Sequence, residues 1–416
     1  MISQSNRSYF NFLIILTVIS QIFSINLSFG SGPNIKPSQI YFLILVAYGF
    51  KNISDIKFPR NIIRYGIASF LLIITITFFS FYSYDLQHFF HYPTSTGFDP
   101  FTHIILLAFN VFTPILIYYL MKIYSVSPNL LTVFHDSVFY ISLLFMLIII
   151  SPIDSSFLYK QSTEILLNNE VLVQRFIGGV EYSVLCVAAI VSILNSNDIK
   201  LKIPFSIFKI LILLIGVGIG FSRQAILSLL IGIFLTYMIS DNRNIVKSLS
   251  LFFVSIFLIF FISYSILFIF FPSYFQVFLD RILSIFQLIS YTTGTIGDRF
   301  QLWFKMINEN SSNIFVGQGM DSYIKFFSFR GEGAHNFPLM VYHSGGMFAF
   351  LSYIYLQFSI LSSLLKFVRK SDTAKTLFII LITFSISSLT GLIYMSHIFW
   401  ILIGISYYYL YKLQAQ

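Results

Sequence analysis

Apolar runs of about twenty residues recur along this chain, and they constrain its fold more than any other feature. A run of that length, wound as an α-helix, crosses the hydrocarbon core of a bilayer. Helices are the expected form, because a segment inside a bilayer must satisfy its own backbone hydrogen bonds. Charged residues make up only 10% of the chain, against about 25% in soluble domains. These features predict an all-α polytopic membrane protein and exclude a soluble globular one.

Twelve such runs, bounded by polar or charged residues, are candidate transmembrane helices. The second run is short, which favours either a tilted or a re-entrant piece. We expect one integral membrane domain over residues 1–416, with no separate soluble domain. The predicted spans are 9–29, 38–50, 62–84, 101–121, 133–152, 178–195, 203–221, 224–240, 248–271, 337–365, 376–392 and 394–411.

The positions of the 25 Lys and Arg residues indicate the orientation of these spans. They are scattered between the apolar runs rather than gathered on one surface, which argues against nucleic-acid binding despite a formal charge of +9. Sixteen of them fall on one side of the twelve-span alternation and nine on the other. Because positively charged loops stay in the cytoplasm, both termini are predicted to be cytoplasmic.

One long external loop, residues 272–336, contains five of the nine external basic residues together with several acids. It keeps helical apolar patterning in places, so we expect two or three short helices lying over the membrane. Two shorter external segments, 85–100 and 153–177, complete this side. Function is expected here, because the spanning helices themselves are almost uncharged.

Arg223 lies in a hinge of a few residues between two predicted spans, at the outer membrane edge. An arginine at that depth is costly unless it faces protein, water or an anion. A snorkelling interfacial arginine is one interpretation, and a bidentate phosphate ligand is the other. Its external position, against the positive-inside trend, favours the anion. Gly216 and Gly220, which precede it, have the spacing of close helix packing rather than of a nucleotide loop.

The long loop contains two further motifs. Asp298 and Arg299 stand next to each other, and Trp303 follows the arginine by four residues. Either they form a structural ion pair beside an interfacial aromatic ring, or they belong to a site. Residues 316–319, Val-Gly-Gln-Gly, suggest a tight turn.

Glu332 and His335 stand at the end of the long loop, just before the tenth span. An imidazole of ordinary pKa, about 6.5, accepts a proton at physiological pH. His335 is therefore a candidate general base, with a generic loop histidine as the alternative interpretation. Asn336 is expected to help position this imidazole or an acceptor.

Metal ligation has weak support in the sequence. His88 and His91 have a spacing found in metal sites, but no third ligand stands at a helical or hairpin spacing from them. The single cysteine, Cys186, lies inside an apolar run, so neither an internal disulfide nor a cysteine-built metal site is expected. We predict no metal and no cofactor.

Taken in order, these motifs are similar to those of the O-antigen polymerase and O-antigen ligase superfamily, the GT-C type membrane glycosyltransferases of the bacterial envelope. The resemblance covers about residues 205–360. It rests on the Gly-x-Ser-Arg hinge at Arg223, on Asp298-Arg299 with Trp303, on residues 316–319, and on His335-Asn336 followed by Leu339 and Gly345-Gly346.

The resemblance implies a metal-independent glycosyltransferase whose donor is an oligosaccharide linked through pyrophosphate to undecaprenol. Arg223 and Arg299 match the positions that bind the diphosphate leaving group, and Arg281 is the substitute or helper for Arg299. His335 matches the family's loop histidine and hence the base, with Glu332 as the alternative. The active site would lie on the periplasmic face of the bacterial inner membrane, and a chain-length regulator is a further implied partner.

Polymerase and ligase share these motifs and differ in the acceptor, which is a second lipid-linked repeat unit for the polymerase and the lipid A core for the ligase. We favour the polymerase, because polymerase sequences vary widely around the shared motifs, and keep the ligase as the alternative. The competing class is a lipid-linked glycan flippase or a secondary transporter. That class would place charges inside spanning helices near mid-bilayer, whereas here they concentrate in an external loop.

Cysteine labelling in membrane vesicles tests this topology. Single cysteines introduced near residues 55, 245 and 370 should react only from the cytoplasmic side, because the positive-inside rule places those loops there. Cysteines near 95, 165 and 310 should react only from the outside. Cytoplasmic labelling near 310 would contradict the prediction and remove the basis for an external site.

Overall fold

The structure, a computed structural model, describes most of the chain. The described residues are 58–91, 99–124, 130–150, 159–166, 169–176, 179–196, 203–219, 223–239, 295–322, 336–389 and 397–415, with isolated positions between 12 and 47 and between 250 and 265. The chain divides into two compact units, and the expectation of one membrane domain stays a prediction. The first unit comprises Met1–Lys51, Tyr124–Ile289 and Leu364–Ser387, and the second comprises Asn52–Ile123, Ser290–Ser363 and Ser388–Gln416.

The described elements are mostly long helices joined by short connections. The strands are β1 Tyr159–Leu166 and β2 Asn169–Phe176. The helices with described bounds are α1 Arg60–Ser83, α2 Leu86–His91, α3 Pro100–Tyr124, α4 Leu130–Ile150, α5 Gly179–Asn195, α6 Ile203–Ile219, α7 Arg223–Ile239, α8 Thr295–Asn310, α9 Phe337–Leu365, α10 Asp372–Ser388 and α11 His397–Ala415.

Nine of the predicted spans coincide with described helices to within four residues at either end. Four helices are long and apolar enough to cross a membrane by themselves: Arg60–Ser83, Pro100–Tyr124, Leu130–Ile148 and Phe337–Leu365. The protein is therefore a helical membrane protein. The predicted spans 9–29, 38–50 and 248–271 lie outside the described residues apart from isolated positions, so the count of twelve and the loop topology stay predictions.

An antiparallel hairpin adds strands to a fold that was expected to be wholly helical. It is built from β1 and β2, with Tyr159 opposite Phe176 and Leu166 opposite Asn169. It occupies most of the predicted external segment 153–177. In residues 171–173 two valines stand at alternate positions, which is the pattern of a strand. This alternation is too short to predict a strand beside the long apolar runs around it.

The first unit is organised around α5, which contacts α4, α6 and α7. Its residues from Tyr182 to Ile193 are almost all buried. Gly216 of α6 permits a close approach, because a Cβ there would lie 2.7 Å from the Tyr182 hydroxyl oxygen and 2.8 Å from Cys186 Sγ. The packing role expected for Gly216 is confirmed, whereas Gly220 lies outside the described residues.

The second unit buries aromatic side chains between α1, α3, α9 and α11. The rings of Tyr65 and Tyr407 meet edge to face with centroids 5.4 Å apart. The hydroxyl groups of Tyr407 and Ser359 lie 2.9 Å apart, which ties α11 to α9. Gly404 lies against Ile117 of α3, where a Cβ would come within 2.7 Å of the Ile117 Cβ. Small residues at these contacts let the helices approach closely.

Helix α9 is broken at Gly346, whose backbone has φ 66° and ψ −165°. A break removes helical hydrogen bonds, and in this case residues 314–319 supply the missing partners. The amide groups of Gln318 and Gly319 donate to the carbonyl oxygens of His343 and Ser344 at 2.8 and 3.0 Å, and the amide of Met347 donates to the carbonyl oxygen of Ile314 at 2.9 Å. The break is thus satisfied by protein rather than by water.

The sequence predicted a tight turn at residues 316–319, and that prediction is wrong in detail. These four residues run without a turn beside the broken helix, between turns at 314–315 and 320–321. Gly317 is needed because two backbones approach closely here, rather than because the chain reverses direction. A Cβ on Gly317 would overlap the carbonyl oxygen of Ser344 and lie 2.6 Å from the Gly345 Cα.

The Gly317→Ala variant should therefore be destabilised by about 1–3 kcal/mol, because the added methyl group meets backbone that cannot rotate away. Gly218→Ala is the matched control, since Gly218 lies in α6 and an added methyl group there would have nothing within 4 Å. That change should be neutral or stabilising by up to about 1 kcal/mol. Thermal unfolding of the purified proteins in detergent measures both, and equal melting temperatures for Gly317→Ala and wild type would contradict the packing described.

Candidate functional site

The site residues predicted from the sequence fall on different parts of the structure. Arg223 is the first residue of α7 in the first unit, and Arg299 lies in α8 in the second unit. The side chains of both lie outside the described part. Arg281, Glu332 and His335 lie outside the described residues altogether. Their proximity to one another is therefore still a prediction.

Helix α8 is one of the short helices expected in the 272–336 loop. Leu302, Met306 and Asn310 recur every four residues along it and are buried, while most of their neighbours are exposed. This is the stripe of an amphipathic helix that packs by one face. Asn310 fixes its end, because the Nδ2 amide donates to the carbonyl oxygen of Tyr342 at 3.1 Å. The end of α8 is thereby attached to the first turns of α9.

Asn336 begins α9 as its N-cap. The amide of Leu339 donates to Asn336 Oδ1 at 3.1 Å, and the amide of Met340 donates to its carbonyl oxygen at 3.0 Å. Pro338, in the first turn, lacks an amide that would otherwise need a partner. The structure gives Asn336 this capping role, and the expectation that it positions an imidazole or an acceptor stays a prediction, because His335 lies outside the described residues.

His343 is fully buried within α9 and lies between two polar side chains. Its Nε2 atom is 2.9 Å from Glu309 Oε2, and its Nδ1 atom is 3.1 Å from Ser322 Oγ. The Glu309 side chain is 23% exposed, so the chain of contacts leads from the surface inward. Carboxylate, imidazole and hydroxyl in this order form an arrangement that can hold and move a proton.

The hydrogen-bond count of Ser322 defines two proton states. Its single hydroxyl proton has two acceptors within reach, His343 Nδ1 at 3.1 Å and the Gly319 carbonyl oxygen at 2.9 Å. When the hydroxyl donates to Gly319, Nδ1 carries a proton and donates it to Ser322, and His343 Nε2 and Glu309 Oε2 share one further proton between them. When the hydroxyl donates to Nδ1, the ring is neutral. Ser322, His343 and Glu309 can thus hold or release one proton while their heavy atoms stay in place.

A second histidine and carboxylate pair adjoins the first along the chain. Asp321 and His103 of α3 are both buried and are joined through Asp321 Oδ2 and His103 Nδ1. Asp321 has a φ of 60°, the left-handed region that non-glycine residues seldom adopt. Strain of this kind persists where surrounding contacts fix it, and it is concentrated at functional sites. Glu309, Ser322, His343, Asp321 and His103 are hereafter the His343 cluster.

Helix α1 holds the cluster from the other side. The Tyr84 hydroxyl, just beyond the end of α1, donates to the carbonyl oxygen of Met320 at 3.0 Å, and the Met320 amide donates to Ser80 Oγ at 2.8 Å. Gly319, with φ 86°, lies where a Cβ would be 3.0 Å from the Ser80 Cα. The Met320 amide is therefore satisfied by Ser80 of α1, and the Met320 carbonyl oxygen is satisfied by Tyr84, the residue after α1. These two contacts fix the backbone just before the strained residue Asp321.

An open apolar groove of about 450 Å³ lies between α8 and the start of α9. Trp303 and Ile307 line it from α8, and Asn336 and Leu339 line it from the first turn of α9. Arg299 is one helical turn before Trp303, and His335 immediately precedes Asn336 in sequence. Two predicted site residues thus adjoin, along the chain, residues that line one groove.

The sequence reasoning missed the whole His343 cluster. Its signal was present, because His103 and His343 lie inside the predicted spans 101–121 and 337–365. An ionisable residue within a membrane span is by default a candidate for function. The carboxylate partners of both histidines come from the predicted loop 272–336, and they stand 200 or more residues after His103. No spacing rule predicts either pairing.

Within the part of the chain that the structure describes, no three His, Cys, Asp or Glu side chains are arranged to hold a metal ion. His88 instead contacts Asp85, with Nδ1 and Oδ2 2.8 Å apart. Compared with protein-family models, with curated proteins and with solved structures, the chain matches none of them.

A double-mutant cycle measures the coupling between His343 and Glu309. Because the imidazole is buried, the coupling free energy from Glu309→Ala, His343→Ala and the double variant should be about 1.5–3 kcal/mol. Asp85 and His88 are a matched control, with the same chemistry at 2.8 Å but with side chains 63% and 56% exposed. Their cycle should give at most about 0.5 kcal/mol. Equal couplings in denaturant unfolding would show that burial adds nothing to the His343 pair.

Proposed function

We propose that the protein is a bacterial envelope polysaccharide polymerase of the O-antigen type. It transfers a glycan from an undecaprenyl-pyrophosphate donor to a second lipid-linked repeat unit at the periplasmic face of the inner membrane. Both termini lie in the cytoplasm, and a chain-length regulator is a candidate partner. The proposal is supported by the order of the motifs from Arg223 to Gly346, by a helical membrane fold, and by a helix, α8, within the loop that the sequence predicts to be external.

The apolar groove between α8 and α9 is the feature that best supports this function. A polyprenyl chain is wholly apolar and needs a lipid-accessible surface, and the groove is open and lined mainly by apolar side chains. Its lining residues Trp303 and Asn336 adjoin the candidate phosphate ligand Arg299 and the candidate base His335. With the lipid tail in the groove, the attached diphosphate would lie beside Arg299 of α8 and His335, just before α9.

The proposed chemistry uses these residues in separate roles. The acceptor hydroxyl oxygen bonds to the anomeric carbon of the donor while the bond from that carbon to the diphosphate oxygen breaks. His335, or Glu332 in its place, takes the hydroxyl proton. Arg223 and Arg299, with Arg281 as substitute or helper, stabilise the charge that develops on the departing undecaprenyl diphosphate. Arginine suits this task because its planar fork binds phosphate oxygens in pairs.

The ligase alternative uses the same groove and differs only in its acceptor, the lipid A core. A flippase or transporter is less well supported. The ion pair described within the helices, Asp136 with Lys209, lies six residues after the starts of α4 and α6, which is four residues before the middle of α4 and two before the middle of α6. A transport site would be expected closer to mid-bilayer.

Polymer formation from purified lipid-linked repeat units tests the proposal. His335→Ala should lower the rate about 10² to 10⁴-fold, and Arg223→Lys should lose most turnover while inserting normally, because it keeps the charge but lacks the fork.

Leu339→Trp should fill the groove and raise the donor KM. Phe358→Trp is its control, since Phe358 lies on α9 outside the groove and is 63% exposed.

Other outcomes would identify the alternatives. Activity that requires added lipid A core would indicate a ligase. Movement of the lipid-linked unit across a vesicle membrane without any new glycosidic bond would indicate a flippase. If Glu332→Gln is inactive while His335→Ala keeps its rate across pH 5.5 to 8.5, the base is Glu332. Loss of activity in EDTA with recovery on adding a divalent ion would contradict the metal-independent mechanism.

A further inference from the structure

A second groove lies on an exposed, apolar side of α1 and α9, two of the helices that are long and apolar enough to span a bilayer. The two helices are in close contact near Gly345, where a Cβ would lie 2.9 Å from Ile76 Cγ1. Nearer the start of α1 they enclose an open groove of about 350 Å³. Two small residues lie deepest in it, Ala68, which is buried, and Ser352, which is half-buried.

Exposed aliphatic side chains form the walls of this groove. They are Ile67, Leu71 and Leu351, each about half exposed. Along α1 the groove runs from Arg64 to Leu71, a rise of roughly 10 Å at 1.5 Å per residue. One leaflet of the hydrocarbon core is about 15 Å thick. The groove therefore has the length and the lining for part of one acyl chain within a single leaflet.

Two arginines mark the end of the groove. Arg64 lines it, and Arg60, the first residue of α1, is one helical turn away; both are exposed. Among the residues that the structure describes, no carboxylate lies within ion-pair distance of either guanidinium. The first turn of α1 has no acidic residue. Two positive charges thus stand in the first turns of an apolar helix that is long enough to span a bilayer.

These observations specify the chemistry of an occupant. Arginine binds phosphate oxygens through its planar fork, and basic residues beside a membrane helix attract anionic lipid headgroups. A free phosphate ion would leave the apolar groove unfilled, and a neutral lipid would leave both charges uncompensated. A ligand with one phosphate, a net negative charge and an acyl chain satisfies both parts.

We propose that this groove binds one anionic diacyl phospholipid of the bilayer. Its phosphate lies at Arg60 and Arg64, and one acyl chain lies between α1 and α9 over Ala68 and Ser352. The site is separate from the groove assigned to the polyprenyl donor and does not depend on the glycosyltransferase proposal.

Native mass spectrometry of the full-length protein from detergent tests the site, with phosphatidylglycerol and phosphatidylcholine of equal chain length as probes. Wild type should retain one phosphatidylglycerol in preference to phosphatidylcholine. The Arg60→Gln/Arg64→Gln variant should bind phosphatidylglycerol about thirtyfold more weakly, the effect of two arginines at a membrane surface. Ser352→Leu keeps both charges but fills the groove, and it should lose retention of the lipid as well.

The Lys366→Gln/Arg369→Gln variant is the control, because it removes two exposed basic residues from the turn that follows α9. It should retain phosphatidylglycerol as wild type does. An equal loss in this control would show attraction by overall charge and overturn the site. Equal retention of the two lipids, or unchanged retention of phosphatidylglycerol in Arg60→Gln/Arg64→Gln, would each overturn it too.

Discussion

The break in α9 at Gly346 is the constraint on which the described part of the second unit depends. A helix interrupted inside an apolar protein leaves carbonyl and amide groups that water cannot reach, and each such group is costly to bury alone. Residues 314–319 satisfy three of them through backbone hydrogen bonds. Those bonds require contact between two backbones, and Gly317 is the residue that permits it. These bonds attach residues 314–319 of the loop to α9, and the two form one structural element.

The same attachment creates the His343 cluster. Once residues 314–319 are fixed beside α9, Asp321 and Ser322 necessarily lie next to the helix, and α8 brings Glu309 to the other nitrogen of His343. Buried imidazole and carboxylate groups are acceptable because each has a partner. The partly exposed Glu309 keeps one end of the cluster in contact with solvent. The cluster consequently combines a structural role with the capacity to hold a proton close to the start of α9.

Helix α9 also lines two open grooves within the second unit. Near its start it forms the larger groove with α8, where aromatic and aliphatic side chains leave an open apolar surface. Beyond the break it forms the smaller groove with α1, because Ala68 and Ser352 are too small to fill the space between the helices. Side-chain size decides where such grooves open, since the helices themselves have nearly constant diameter.

The sequence by itself determined the class of the protein and the location of most of its helices. Runs of about twenty apolar residues have few solutions in a bilayer, so nine predicted spans match described helices. It also indicated that Gly216 permits close packing and that the 272–336 loop contains helix. The capping role of Asn336 was readable from its place two residues before Pro338.

Only the tertiary structure decided where polar residues meet. The contacts between His103 and Asp321 and between His343, Glu309 and Ser322 join segments that are distant in sequence or separated by a loop, and periodicity carries no information on such pairs. The extended path of residues 316–319 likewise depends on the break in α9 rather than on local turn chemistry. Local patterns fix helices because their hydrogen bonds are local, whereas the His343 cluster arises from packing, which only the folded chain specifies.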